Sequence, residues 1–186
     1  PAARRGYPRR MSLLSWLGLS PAEDRHRDPD AIEALAAPLT ALGPERARFL
    51  ALFAYALARA ANVDADVSDA ELARIEREVA TWGALPAEQA SLVARLAKAQ
   101  NQATGATGNF LVVRELRDLA SHDEKLAMLH ALFAVAAADD DVTVAEEEAI
   151  RGISRELLLT NDEYLWVRSH YREQRAVMKP GRPAPA

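Results

Sequence analysis

The sequence predicts an all-α chain, a single domain of about seven to eight helices built from two pseudo-repeated halves, each a helix, an acidic loop and a helix. Three observations carry this. Apolar residues recur at helical spacings along nearly the whole chain, while the strict alternation of a strand does not occur. Hydrophobic residues make up 49% of the chain but aromatics only 6%, with heavy use of alanine, which favours close-packed helices. Finally, "DADVSDAE" (Asp64–Glu71) and "DDDVTVAE" (Asp139–Glu146) align without a gap 75 residues apart. In that register Phe53 matches Met128, Leu57 matches Leu132 and Ile75 matches Ile150. A repeat of this kind is the first feature to seek in a helical chain.

The elements follow in order. Asp30 caps a helix carrying Ile32, Leu35, Leu39 and Leu42, which Gly43 ends; Pro38 inside it calls for a kink or a split. Pro44 suits the first turn of the next helix, with Phe49, Leu50, Phe53, Leu57 and Ala60–Ala61 along it. After the loop Asp64–Val67, Ser68 starts a third helix with Leu72, Ile75 and Val79, stopped by Gly83. Pro86 opens a fourth, with Leu92, Val93, Leu96 and Ala99. "NQATGATGN", Asn101–Asn109, reads as a polar linker and lacks the lysine and preceding strand of a phosphate loop. A fifth helix carries Phe110, Val113, Leu116 and Leu119. A sixth runs from about Asp123 to Ala138 and a seventh from Thr143 to about Leu158. Thr160 or Asn161 caps an eighth through Tyr164, Leu165, Trp166, Val167 and Tyr171. Residues 1–29 form an N-terminal segment, largely irregular with a short apolar stretch. Residues 30–176 form the helical domain, and 177–186 have the composition of a disordered tail.

Composition excludes several classes. There is no cysteine, so disulfides and thiolate metal sites are ruled out. The net charge is −4, and the first ten residues hold four arginines and no acid; without those four positive charges the chain from Met11 onward stands at −8. A body that acidic lacks the positive field that nucleic-acid binding requires. No apolar run reaches the roughly 18 to 20 residues of a membrane span. Arginines ahead of "SLLSWLGL" (Ser12–Leu19) faintly resemble a secretory leader, but the apolar part is short, holds Gly18 and is followed by a poor cleavage site. Met11 therefore reads as a natural start, and Ser12–Leu19 as a segment that packs onto the domain or touches a membrane surface.

The acidic loops divide into two chemistries. Ser68-Asp69-Ala70-Glu71 and Thr143-Val144-Ala145-Glu146 are capping boxes, in which the hydroxyl accepts from the third amide and the glutamate reaches back to the cap amide. Val67 and Leu72 complete a hydrophobic staple in the first copy; Glu147 replaces its partner in the second. Capping does not account for Asp64, Asp66, Asp139 and Asp141, which precede the cap at the carbonyl end of a helix, where negative charge is unfavourable. No Lys or Arg lies between Arg59 and Arg74 or between Lys125 and Arg151. Clustered hard oxygens suit a divalent cation, Ca²⁺ or Mg²⁺, and the candidate metal ligands are Asp64, Asp66, Asp139, Asp141, Glu71 and Glu146. A solvated acidic face and a docking face for a basic partner are the other readings. The loops open like an EF-hand but hold Asp69 or Val144 where that motif has glycine, and Ile75 or Ile150 where it has glutamate.

No catalytic constellation is visible. His26, His122, His130 and His170 form no zinc-binding spacing, and no serine sits in a nucleophile elbow. His130 falls on an apolar helix and reads as a satisfied core or boundary residue. Trp82, Trp166 and Tyr171 lie near helix ends, where large aromatics close a core. Arg168, Arg172 and Arg175 make the last helix basic, free to pair with the acidic loops, with lipid headgroups or with solvent.

The halves resemble the TerB family of tellurite-resistance proteins, above all in "KLAMLHALFAVAAADDDVTVAEEEAIRGISRELLLTNDEYLWV". In that family a helix ends in Ala-Asp-Gly, and x-Ile/Val-x-x-x-Glu opens the next. Asp139, Val142 and Glu146 match this in the second half and Asp64, Val67 and Glu71 in the first, while the family glycine is Ala65 or Asp140. The resemblance spans roughly residues 30 to 173. It implies a cytoplasmic bacterial protein, in some members at the inner face of the membrane, linked to stress from tellurite and other toxic agents. It also implies acidic residues that bind metal, and a non-enzymatic module with a protein partner. The alternative is a metal-independent adaptor, co-chaperone-like or membrane-associated.

Overall fold

The computed structural model describes residues 35, 37–61, 68–104, 110–139 and 142–173, the side chains of 61, 100–104, 110–114 and 139 aside. Within them lie α1 (Pro44–Ala61), α2 (Asp69–Trp82), α3 (Ala87–Thr104), α4 (Phe110–Leu119), α5 (His122–Ala136), a 3-10 turn (Ala137–Asp139), α6 (Val144–Glu156) and α7 (Asn161–Ser169). Helical residues at 37–41 precede α1, and Leu35 and Leu39 are buried with the core.

Two helices form the centre. On α1, Phe49 to Leu57 are buried at every position but Tyr55; on α5, Met128 to Ala136 are buried at every position but His130. A helix apolar on all sides belongs inside a bundle. Ala51, Ala54, Ala131 and Ala134 are among those residues, and their small side chains let the backbones approach. The other helices are amphipathic and cover this pair. Contacts run crosswise: α2, which follows α1, packs on α5, while α6, which follows α5, packs on α1. Then α3 covers α1 and α2, α4 covers α1 and α6, and α7 covers α5. The residues matched by the sequence register, Phe53 with Met128, Leu57 with Leu132 and Ile75 with Ile150, are all buried.

Four helices begin with the same device. Ser68, Ser121, Thr143 and Thr160 cap α2, α5, α6 and α7, each closing a full capping box with Glu71, Glu124, Glu146 and Glu163 respectively. Thr160, not Asn161, is thus the cap of the last helix. The ends of α2 and α6 are alike too: Ala84 (φ 51°) and Leu158 (φ 60°) each take the left-handed conformation, followed by buried Leu85 and Leu159.

The sequence expectations need three adjustments here. The linker expected at Asn101–Asn109 begins later, because α3 continues to Thr104. The sixth helix starts at His122 and its last turn, Ala137–Asp139, tightens to 3-10 geometry, a common way to satisfy terminal carbonyls. In the second half, where no staple partner exists, Val142 is nevertheless buried in the core.

Candidate functional site

The acidic candidates fall into two groups. Asp64, Asp66 and Asp141 lie outside the described residues. Asp139 closes the 3-10 turn with its backbone, and its side chain is likewise outside them. Glu71 and Glu146 are described, and both are working caps. The Glu71 carboxylate accepts from the Ser68 amide at 2.8 Å and from its hydroxyl at 2.7 Å through one oxygen, Oε2. Glu146 repeats this on Thr143, at 2.8 Å for both bonds, again through Oε2. The Ser68 hydroxyl, and next its amide, hold the Glu71 carboxyl below the usual carboxylate range. Among the described residues no three His, Asp or Glu side chains lie close enough to hold a metal ion. In both glutamates Oε2 makes the capping bonds, and Oε1 lies outside them.

Arg74 and Lys98 act on the Glu71 carboxylate through space, and three other arginines are held in ion pairs. Arg59, in the last turn of α1, forms a two-pronged pair with Glu156 at the end of α6, with both nitrogen–oxygen distances 2.9 Å. Its guanidinium pKa is raised above the ordinary arginine value, chiefly by that hydrogen bond. Arg168 of α7 donates to Glu147 in the first turn of α6 at 2.7 Å, so one member of the basic stripe does turn inward, beside the second loop. Arg151 lies 3.9 Å from Glu148 and over the ring of Tyr164.

A second cluster was not legible in the sequence. Trp82 from α2, His130 from α5, and Trp166, His170 and Tyr171 from α7 and the turn after it meet on one side of the bundle. Trp82 stacks on His130 with centroids 5.4 Å apart, and Trp166 meets His130 edge-on at 5.3 Å. The Tyr171 hydroxyl donates to the His130 carbonyl at 3.1 Å, and its ring stacks on Phe133 of the core at 5.5 Å. Tyr171 does close the core, as its position suggested. The two tryptophans do not: Trp82 is 41% and Trp166 56% exposed. His130 is the boundary residue its position suggested, half-buried, and among the described residues its buried Nδ1 has no hydrogen-bond partner. Burial, and then the neighbouring His170, push its pKa down.

The family model described as Tellurite resistance protein TerB matches residues 49–168, from the second turn of α1 to the last turn of α7. The chain belongs to the TerB family, an all-helical family associated with tellurite resistance. No curated protein and no solved structure matches the chain significantly. Among the described residues no helix is long and apolar enough to cross a membrane.

Proposed function

We propose that this chain is a non-enzymatic TerB module of the bacterial response to tellurite and other toxic agents, and that its two acidic loops bind a divalent cation, Ca²⁺ or Mg²⁺. The observation that carries this reading is the Arg59–Glu156 pair. Arg59, the basic residue closest upstream of Asp64 and Asp66 in the sequence, is committed to another carboxylate, while those aspartates follow the negative end of α1 in the chain. A bound cation relieves both the mutual repulsion and the unfavourable helix-end charge. The caps support it: they fix the start of α2 and α6 directly after each loop and keep Glu71 ionised.

Calorimetric titration of the metal-free protein with Ca²⁺ and Mg²⁺ tests the proposal. Binding heat and a raised melting temperature are expected, abolished by Asp139→Asn with Asp141→Asn. Glu146→Gln separates roles, because glutamine still closes a capping box but brings no charge to a cation. Absence of heat and of any thermal shift at millimolar metal would sink the cation reading. A metal-independent adaptor is then favoured, with Val144, 59% exposed in the first turn of α6, as an apolar contact beside the acidic loop. For that adaptor, charge reversal of the loop should change the set of co-purifying proteins.

A further inference from the structure

We propose that the apolar segment Ser12–Leu19 docks, within the same chain, on the aromatic surface formed by Trp82, Trp166 and Leu165. Leu165 is 41% exposed and adjoins Trp166 on α7. This surface is a built platform. Its rings are fixed from beneath by the Tyr171 bond to the His130 carbonyl and by the Phe133 stack, while Trp166 and His170 pack edge to face at 4.8 Å. Exposed tryptophans held rigidly in a group mark a contact surface more strongly than scattered exposed apolar residues do.

The occupant follows from sequence and reach. "SLLSWLGL" holds Leu13, Leu14, Trp16, Leu17 and Leu19 and no charge, so it matches the apolar character of the platform. Leu13, Trp16 and Leu17 stand at the i, i+3, i+4 spacing that would give one apolar helical face. The tether is long enough. Leu35 is already buried in the core, and α1 starts beside the N-terminus of α5, where Arg46 pairs with Glu124 at 3.1 Å. His130 lies six residues farther along α5, about 9 Å at helical rise. Residues 20–34 can span up to about 50 Å, more than the roughly 40 Å diameter of a domain this size. A tether turns docking into an intramolecular event, so a contact too weak to hold a separate partner still closes. That advantage favours the chain's own segment over a second copy or a lipid surface.

The absence of cysteine makes the test direct. Ser15→Cys is paired in the full chain with Thr81→Cys or Ser169→Cys, both exposed at the rim of the platform, and as a control with Ala145→Cys on α6. Under mild oxidation the rim pairs should cross-link within monomers at least tenfold faster than the control pair. Leu14→Asp with Leu17→Asp should remove that difference while the circular dichroism melt of the helical domain persists. Equal rates for rim and control pairs overturn the proposal. So do disulfide-linked dimers, which assign the platform to a second copy. Loss of the rim cross-link in favour of co-sedimentation with anionic lipid vesicles assigns it to a membrane surface and also overturns it.

Discussion

The indole of Trp82 lies flat on the imidazole of His130, with ring planes 14° apart and centroids separated by 5.4 Å. His170 and Tyr171 meet the same imidazole from the C-terminal side, and Glu78 acts on Tyr171 from α2. Burial holds the folded pKa of His130 below its ordinary value. Above pH of about 6.5 both folded and unfolded chains carry it neutral, so it contributes nothing to pH dependence there. Below that pH the unfolded chain takes up a proton that the folded chain resists, and stability falls as pH drops. Urea unfolding at pH 7.5 and 5.5 should show a lower midpoint at the acid value. His130→Phe, which keeps the stack without a titrating group, should flatten that difference.

Arg59 and Glu156 join the end of α1 to the end of α6 across 97 residues of sequence. Their side chains are 22% and 15% exposed, so the pair is largely out of water. Arg59→Met removes one partner and strands the other carboxylate, which should cost about 2 kcal/mol, less than the penalty for a fully buried pair. Arg59→Lys keeps the charge but not the two parallel bonds and should recover part of the loss. A double-mutant cycle with Glu156→Gln, read by denaturant unfolding, checks that the loss belongs to the pair.

The four capping boxes make a graded prediction. Ser68→Ala or Thr143→Ala should each lower stability by about 1 kcal/mol, since one amide of the first turn loses its acceptor and the glutamate loses its hydroxyl donor. Glu71→Gln should cost less, because the amide oxygen still accepts from the Ser68 backbone. Glu71 is held ionised in the fold, so its own contribution is present at neutral pH and fades as pH falls below its unfolded value of about 4.3. Thermal melts of the three variants at pH 7 and pH 4 test both statements.

What the sequence disclosed follows from how locally each feature is encoded. Ser68 and Thr143 announce their caps because the partner glutamate stands three residues on; Ser121 with Glu124 and Thr160 with Glu163 carry the same spacing and were equally readable. Phe53, Leu57, Ile75, Met128, Leu132 and Ile150 were readable as core because one helical face repeats every three to four residues. The end of α3 was not. Asn101 to Thr104 have the composition of a loop, and helix propensity is a weak guide where neighbouring turns already propagate the helix. The platform was invisible for a different reason. Trp82, His130 and Trp166 come from three helices, and no local spacing records that α2 and α7 both pack on α5. Of the candidate cation ligands, Glu71 and Glu146 had a readable role as caps, while the role of the four aspartates depends on loop shape, which no helical period encodes.

The turn after α2 places two neighbouring residues under opposite constraints. A Cβ on Gly83 would stand 2.5 Å from the carbonyl oxygen of Val79 and 3.1 Å from the ring of Phe53, so glycine is required there for space rather than for an unusual φ. Gly83→Ala must distort the last turn of α2 to clear the Val79 carbonyl and also crowd the fully buried Phe53 of α1, and should cost about 2 kcal/mol or more, within the range for overpacked sites. Ala84, the next residue, sits at φ 51°, where an L side chain is strained. Ala84→Gly should therefore gain about 0.5 kcal/mol once the entropy that glycine loses on folding is set against the relieved strain. Leu158 ends α6 in the same conformation at φ 60° and is 70% exposed, so Leu158→Gly sacrifices little packing and should gain by the same mechanism. For a chain of this length each kcal/mol moves the melting temperature by about 2–4 °C. Calorimetric scans should thus place Gly83→Ala several degrees below the parent and the two glycine substitutions one to two degrees above it, and a drop for either Ala84→Gly or Leu158→Gly would refute the strain assigned to these turns.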